Sequence, residues 1–270
     1  MRQNRCFPST DLDFADDLAL LSDEITPARA MLQQVETECT RVGLLLNAKK
    51  TKYMTFNIEG VVEIKTLDGK CLERAVTQSG DQDFRYLGAW IASTSRDMAV
   101  RKALAWKSLH KLKAVWSSQM KRKTKIDLFR ATTKSVLLYG AGTWTMNRRE
   151  EKSIDGCYTR MLRMVLNVSW KSHTTNKVLY GKLPKLSDTI RMRRLRLAGH
   201  SHRDHDSPIG KLVTWIPAHG TTSVGRPTRS YVDVLLDDAG VDNVAELETY
   251  MADRNLWRNL SSRGINYFDR

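Results

Sequence analysis

Residues 11–21 read Asp-Leu-Asp-Phe-Ala-Asp-Asp-Leu-Ala-Leu-Leu, and this stretch decides how the rest of the chain is read. From Thr10 to Phe14 polar and apolar residues alternate, which places Leu12 and Phe14 on one face of a strand. After Ala15-Asp16-Asp17 comes a second apolar run, Leu18 to Leu21. The pattern predicts strand, acidic tight turn, strand. Two adjacent carboxylates at a hairpin tip repel one another unless a cation sits between them. Paired in this way they can take Mg²⁺ through oxygen ligands. Aspartate is also a common turn former, so a solvated Asp-Asp turn is the bland alternative.

Outward from the hairpin, Thr26 and Pro27 predict a helix start, with Thr26 as the cap and proline at the first helical position. Met31, Val35, Cys39 and Val42 give that helix an apolar stripe, and Gly43 should end it. Leu44 to Leu46 reads as extended and Lys52 to Phe56 as a strand. Between residues 60 and 92, Gly60, Gly69 and Gly80 separate short β-rich segments, a meander closing on Phe-Arg-Tyr-Leu-Gly-Ala-Trp-Ile. From Ser95 onward helical spacing takes over. Met98, Ala105, Leu109, Leu112 and Trp116 form one stripe, and Ile154, Tyr158, Met161, Val165 and Val168 another. Further helices are expected over 125–139, 186–199, 228–239 and 243–262, with loops from Gly140 to Asn147 and from Pro217 to Pro227.

The chain has 270 residues, 41% hydrophobic and 27% charged, which is the composition of a folded protein large enough for two domains. No run approaches the roughly 20 apolar residues that span a bilayer, and the first ten residues lack the apolar core of a secretory signal. The expectation is an intracellular protein, nuclear or cytoplasmic, without a membrane partner. Four scattered cysteines suit reduced thiols better than a disulfide framework. The net charge of +14 is unevenly spread: residues 96–205 hold 26 Lys and Arg against 7 Asp and Glu. Such a segment, interleaved with tryptophan and tyrosine, can follow a phosphate backbone. The run Arg191, Arg193, Arg194 and Arg196 reads equally as a nucleic-acid patch or as the solvent face of an amphipathic helix with Leu195 and Leu197 inward. His200, His202 and His205, with Asp204 and Asp206, are read as the end of a helix, with no zinc expected. Trp106, Trp116, Trp144, Trp170, Trp215 and Trp257 are read as core anchors rather than base-stacking platforms, and none is assigned to stacking.

The hairpin resembles motif C of reverse transcriptases, in which an aromatic-x-Asp-Asp turn carries catalytic metal. Gly-Leu-Leu-Leu-Asn-Ala-Lys-Lys-Thr at 43–51 resembles the family's next element, and Phe-Arg-Tyr-Leu-Gly-Ala-Trp-Ile at 84–91 resembles the primer grip. Residues 160–170, 174–180, 193–200 and 225–238 look like the tail shared by RTE-like and related non-LTR (LINE) retrotransposons. The resemblance implies an RNA-directed DNA polymerase, a nucleotidyltransferase using two Mg²⁺ ions, dNTPs, an RNA template and a DNA primer. Asp16 and Asp17 would be the catalytic metal ligands, with Phe14 packing the hairpin and Lys50 near the nucleotide phosphates. Tyr86, Leu87 and Gly88 would hold the primer end. Lys102, Lys107, Lys111, Lys113, Lys121, Arg122, Lys123 and Lys125 would lie along the duplex.

The implied fold is α+β: a partial palm over 1–94, thumb-like helices over 95–145 and a helical region over 146–270. The family's earlier metal-binding aspartate, fingers and Pro-Gln-Gly motif fall outside these residues. The expectation is therefore a reverse-transcriptase fragment inactive alone, with a half-uncovered palm sheet, or alternatively a non-catalytic nucleic-acid-binding helical module.

Overall fold

The computed structural model describes residues 11–56, 62–76, 84–91, 93–206, 209–215 and 229–262. By its contacts the chain divides into two units, Met1–Ser93 and Thr94–Arg270. The expected loop from Pro217 to Pro227 lies outside the described residues.

The first unit begins with an antiparallel hairpin, β1 (Asp11–Phe14) and β2 (Asp17–Leu20), with Phe14 paired to Asp17 across a two-residue turn. Helix α1 (Ile25–Arg41) packs on β2. It starts earlier than the sequence suggests: Glu24 occupies the cap, so Thr26 and Pro27 sit inside the first turn. Its end is as expected. Gly43 takes φ +78°, and the amides of Gly43 and Leu44 return to the carbonyls of Thr40 and Cys39. That pair of bonds closes a Schellman cap, which a residue with a Cβ would strain.

β3 (Lys52–Tyr53) and β4 (Glu73–Arg74) pair in parallel, and β5 (Arg85–Tyr86) with β6 (Ala89–Trp90) forms a second hairpin. Leu32, Val62, Leu72 and Ala75 are buried here, whereas Leu12, Phe14, Val42 and Leu45 are exposed. Phe14, expected to pack the hairpin, is 63% exposed. The strand register explains this. Asp11, Asp13, Leu18 and Leu20 face the cavity against α1, leaving Leu12 and Phe14 on the opposite face.

Among the described residues both hydrophobic clusters belong to the second unit. α2 (Thr94–Lys111) and α3 (Lys113–Ser117) lead to a helical run made of α4 (Arg122–Phe129), a π-helical turn (Arg130–Lys134) and α5 (Ser135–Leu137). α6 (Arg148–Val165) starts from Asn147, whose side chain accepts from the amides of Arg149 and Glu150 while Glu150 bonds back to the Asn147 amide. That reciprocal cap fixes the register of the α6 stripe. Ile154, Tyr158, Met161 and Val165 are buried with Met98, Ala105, Leu109 and Trp116 in one cluster, which runs across residue 145 without a break.

Three helices follow: α7 (Asn176–Tyr180), α8 (Leu186–Arg203) and α9 (Ile209–Leu212). A second cluster joins the later half of α8 to α10 (Tyr231–Ala239), α11 (Val244–Ala252) and α12 (Arg254–Ser262). The single helix expected over 243–262 is broken at Asp253, whose carboxylate takes the amides of Asn255 and Leu256 and caps a new helix. No helix among the described residues is long and apolar enough to cross a membrane.

Candidate nucleic-acid interface

Both hairpins of the first unit turn on strained residues. Ala15 holds φ 56° at the acidic tip, a left-handed conformation that costs a residue with a Cβ about 1–2 kcal/mol. Leu87 (φ 46°) and Gly88 (φ 79°) are both left-handed, as a two-residue type I′ turn requires; glycine takes it freely and leucine does not. Strain of this kind at the centres of two resembling motifs is an observation that calls for a role. The hairpins also touch: the Tyr86 hydroxyl donates to the Leu12 carbonyl at 3.1 Å, joining segments 74 residues apart. Lys50 is exposed at a turn held by Asn47, whose carbonyl and Oδ1 both accept from the Lys50 amide.

Asp16 and Asp17 are exposed at the tip. Among the described residues no group of three His, Cys, Asp or Glu side chains is placed to hold a metal ion. Mg²⁺ accepts one or two carboxylates if water and phosphate fill its other positions. Two ions about 4 Å apart need a larger ligand set than one adjacent pair offers. Among the described residues, therefore, the carboxylates at the tip do not fit a two-metal site.

In the second unit the basic residues divide by what their donors reach. Lys107, Lys111, Lys113, Lys121, Lys123 and Arg196 are exposed. Lys102 is half-buried and donates to Ser153 at 2.9 Å; burial pushes its pKa below the ordinary lysine value, and Arg160 adds to the shift. Others cap helices. Lys125, 6% exposed, donates to the Trp116 carbonyl at 2.5 Å in the last turn of α3, and Arg122 reaches Leu179 at 2.6 Å in the last turn of α7. Arg191 binds the Asp238 carbonyl at the end of α10, Arg203 that of Met251 at the end of α11, and Arg193 that of Leu138 just past α5. Cations at helix C-termini satisfy orphan carbonyls and meet the negative end of the helix dipole.

This corrects two sequence expectations. Lys125 and Arg194 are turned into the protein, so neither offers its charge to a partner. Arg194 is 2% exposed and pairs with Asp238 at 2.7 Å. Burial holds the Asp238 pKa above the ordinary aspartate value despite the arginine's opposing pull. On α8 it is Ile190, Arg194, Leu195 and Ala198 that face inward, while Leu197, expected inside, is 40% exposed. Seven residues after Ile190, it sits at the edge of that face, beside Gly142 and still open to solvent on its outer side.

Sequence reasoning also missed one candidate. Trp116, Trp144 and Trp257 are buried anchors, each donating its indole N–H: to Leu109, Asp97 and Leu195 respectively. Trp170 is 77% exposed. The only signal in the sequence is that it falls past the end of the α6 stripe, in a polar loop.

Along nearly all of its length the chain is similar to an uncharacterized transposon-derived protein of Caenorhabditis elegans. The two are 26% identical over 264 residues, covering 92% of this chain and 93% of that protein. No family model matches the chain, and no solved structure matches it.

Proposed function

We propose that this chain is transposon-derived, descends from the reverse transcriptase of a non-LTR retrotransposon, and binds primer–template nucleic acid. The observation that carries the reading is the Tyr86–Leu12 hydrogen bond. The two segments that resemble the catalytic hairpin and the primer grip lie far apart in sequence, yet the fold of the first unit ties one to the other. Asp16 and Asp17 present two carboxylates at the tip of the first hairpin, and Tyr86, Leu87 and Gly88 present a fixed turn for the primer end. Within the second unit, Lys107, Lys111, Lys113, Lys121 and Lys123 contact phosphates.

Among the described residues the carboxylate set is incomplete, which favours a second reading, in which the chain binds nucleic acid without polymerising. One experiment separates the two. The 270-residue chain is assayed for binding to an RNA–DNA hybrid between about 50 and 200 mM salt, and for Mg²⁺-dependent primer extension. The expected outcome is binding that falls steeply with salt and no extension. Extension abolished by Asp16→Asn would overturn the non-catalytic reading. Binding that is absent at low salt would overturn both.

A further inference from the structure

Trp170 is held out into solvent by a loop whose backbone is fixed. α6 ends in a Schellman cap at Asn167 (φ 53°), with the Val168 amide returning to the Arg163 carbonyl at 2.8 Å. A 3-10 turn, Trp170–Ser172, follows, with Ser169 Oγ accepting from the Lys171 amide, and His173 (φ 48°) reverses the chain. Arg163 then clips the far side of the loop to α6, donating to the Thr174 carbonyl at 2.8 Å and to Asn176 Oδ1 at 3.1 Å. Leaving an indole in water forgoes roughly 2–3 kcal/mol of burial. The pinned loop holds the indole in a fixed position where a partner can reach it.

The surroundings select the partner. Residues 98–126 contain nine Lys and Arg and no Asp or Glu, and residues 156–187 contain six and none. A cavity of about 240 Å³ beside the loop draws its walls from both stretches: Lys113 and Trp116 from the first, Arg163, Met164, Asn167 and Ser169 from the second. The Lys171 ammonium stands 5.9 Å from the centre of the Trp170 ring. An anion is required, and cations spread along α2, α3 and the loop suit a chain of evenly spaced phosphates better than one acidic side chain. The aromatic plane among them suits a base. A duplex hides its base faces, so the base must be unpaired.

We propose that Trp170 is a stacking platform for an unpaired nucleobase of a single strand, with Lys113 and Lys171 on the flanking phosphates. The proposal rests on the nucleic-acid reading above and deepens it. The test uses the full chain and its Trp170→Ala and Trp170→Phe variants, titrated at one salt concentration against a labelled single-stranded oligonucleotide and a blunt duplex of equal length. Trp170→Ala is expected to weaken single-strand binding about 5- to 150-fold, the worth of one stacked base, and to leave duplex binding unchanged. Trp170→Phe should keep most of the affinity. Undiminished single-strand binding by Trp170→Ala, or an equal loss on both nucleic acids, overturns stacking while the nucleic-acid reading stands. A change in self-association with unchanged binding assigns the indole to a protein contact and also overturns it. If the unsubstituted chain binds neither nucleic acid, both proposals fall.

Discussion

The Tyr86 hydroxyl lies 3.1 Å from the Leu12 carbonyl, so a side chain at the edge of one hairpin is anchored to the main chain of another. The first hairpin is otherwise thinly covered, since Leu12, Phe14 and Leu18 are exposed. A two-stranded ribbon is marginal in water by itself, and one latch is then a large share of what orders it. Tyr86→Phe deletes the hydroxyl and keeps the ring. It is expected to cost about 0.5–1 kcal/mol, read as faster amide hydrogen exchange across residues 11–20. Exchange unchanged there would mean that the contact orders nothing.

The second unit is pinned by a buried polar group that periodicity gives no hint of. Asp97, 3% exposed, accepts from the Trp144 indole at 2.8 Å and stands 3.6 Å from Arg101, whose guanidinium lies 4.3 Å from the centre of the Tyr139 ring. Asp97→Ala removes the indole's acceptor and the counter-charge of a buried arginine. The expected loss is about 3 kcal/mol in urea unfolding, and Asp97→Asn, which keeps an acceptor, should lose less.

Two helical glycines should respond with opposite signs. A Cβ on Gly199 would lie 2.1 Å from the Trp257 indole nitrogen, which donates to Leu195 at 2.8 Å, so the ring must move and that bond must break. Gly199→Ala is expected to destabilise by about 1–3 kcal/mol although alanine is the better helix former. Gly156 on α6 has nothing within 4 Å of such a carbon. Gly156→Ala should stabilise by about 0.5–1 kcal/mol, through propensity and a less disordered unfolded chain. Paired thermal melts read both.

What the sequence made legible was local. Alternation placed the first hairpin, the β-rich stretch ending at Ile91 held the second, Gly43 marked the end of α1, and the three- and four-residue spacing from Ile154 to Val165 found the buried face of α6. Roles set by distant partners were hidden. A block of Lys and Arg looks uniformly solvated in one dimension, yet Lys125 and Arg191 meet carbonyl groups at the ends of other helices, nine and 47 residues away. Asp253 reads as one more polar residue in a long helix until its carboxylate turns back on the amides ahead of it. At the candidate site the acidic pair and the Tyr-Leu-Gly turn were found by resemblance. Trp170 was not, because exposure depends on which neighbours fail to cover a residue.

Lys134 offers a prediction whose sign runs against intuition. It lies in the π-helical turn, with its ammonium 5.4 Å from the centre of the buried Tyr158 ring. Burial, with Arg130 and Arg193 adding to it, lowers its pKa from the ordinary 10.5 to about 8. The folded state thus gives up its proton more readily than the unfolded chain. Below about pH 8 both states are protonated and the full penalty of burying the charge is present, on the order of 3 kcal/mol before the ring's attraction is set against it. Between about pH 8 and 10.5 the unfolded chain holds the extra proton, so this residue's contribution to stability rises with pH and the penalty fades. Lys134→Met keeps the length and removes the charge. It should stabilise the protein by about 1–2 kcal/mol at pH 7, after the loss of roughly 1 kcal/mol of cation–π attraction, and the gain should shrink as pH is raised toward 10. Urea unfolding of both proteins at the two pH values measures the difference. A gain equal at both would remove proton linkage as its cause, and a loss at pH 7 would mean that the ring and its surroundings hold the charge more firmly than burial opposes it.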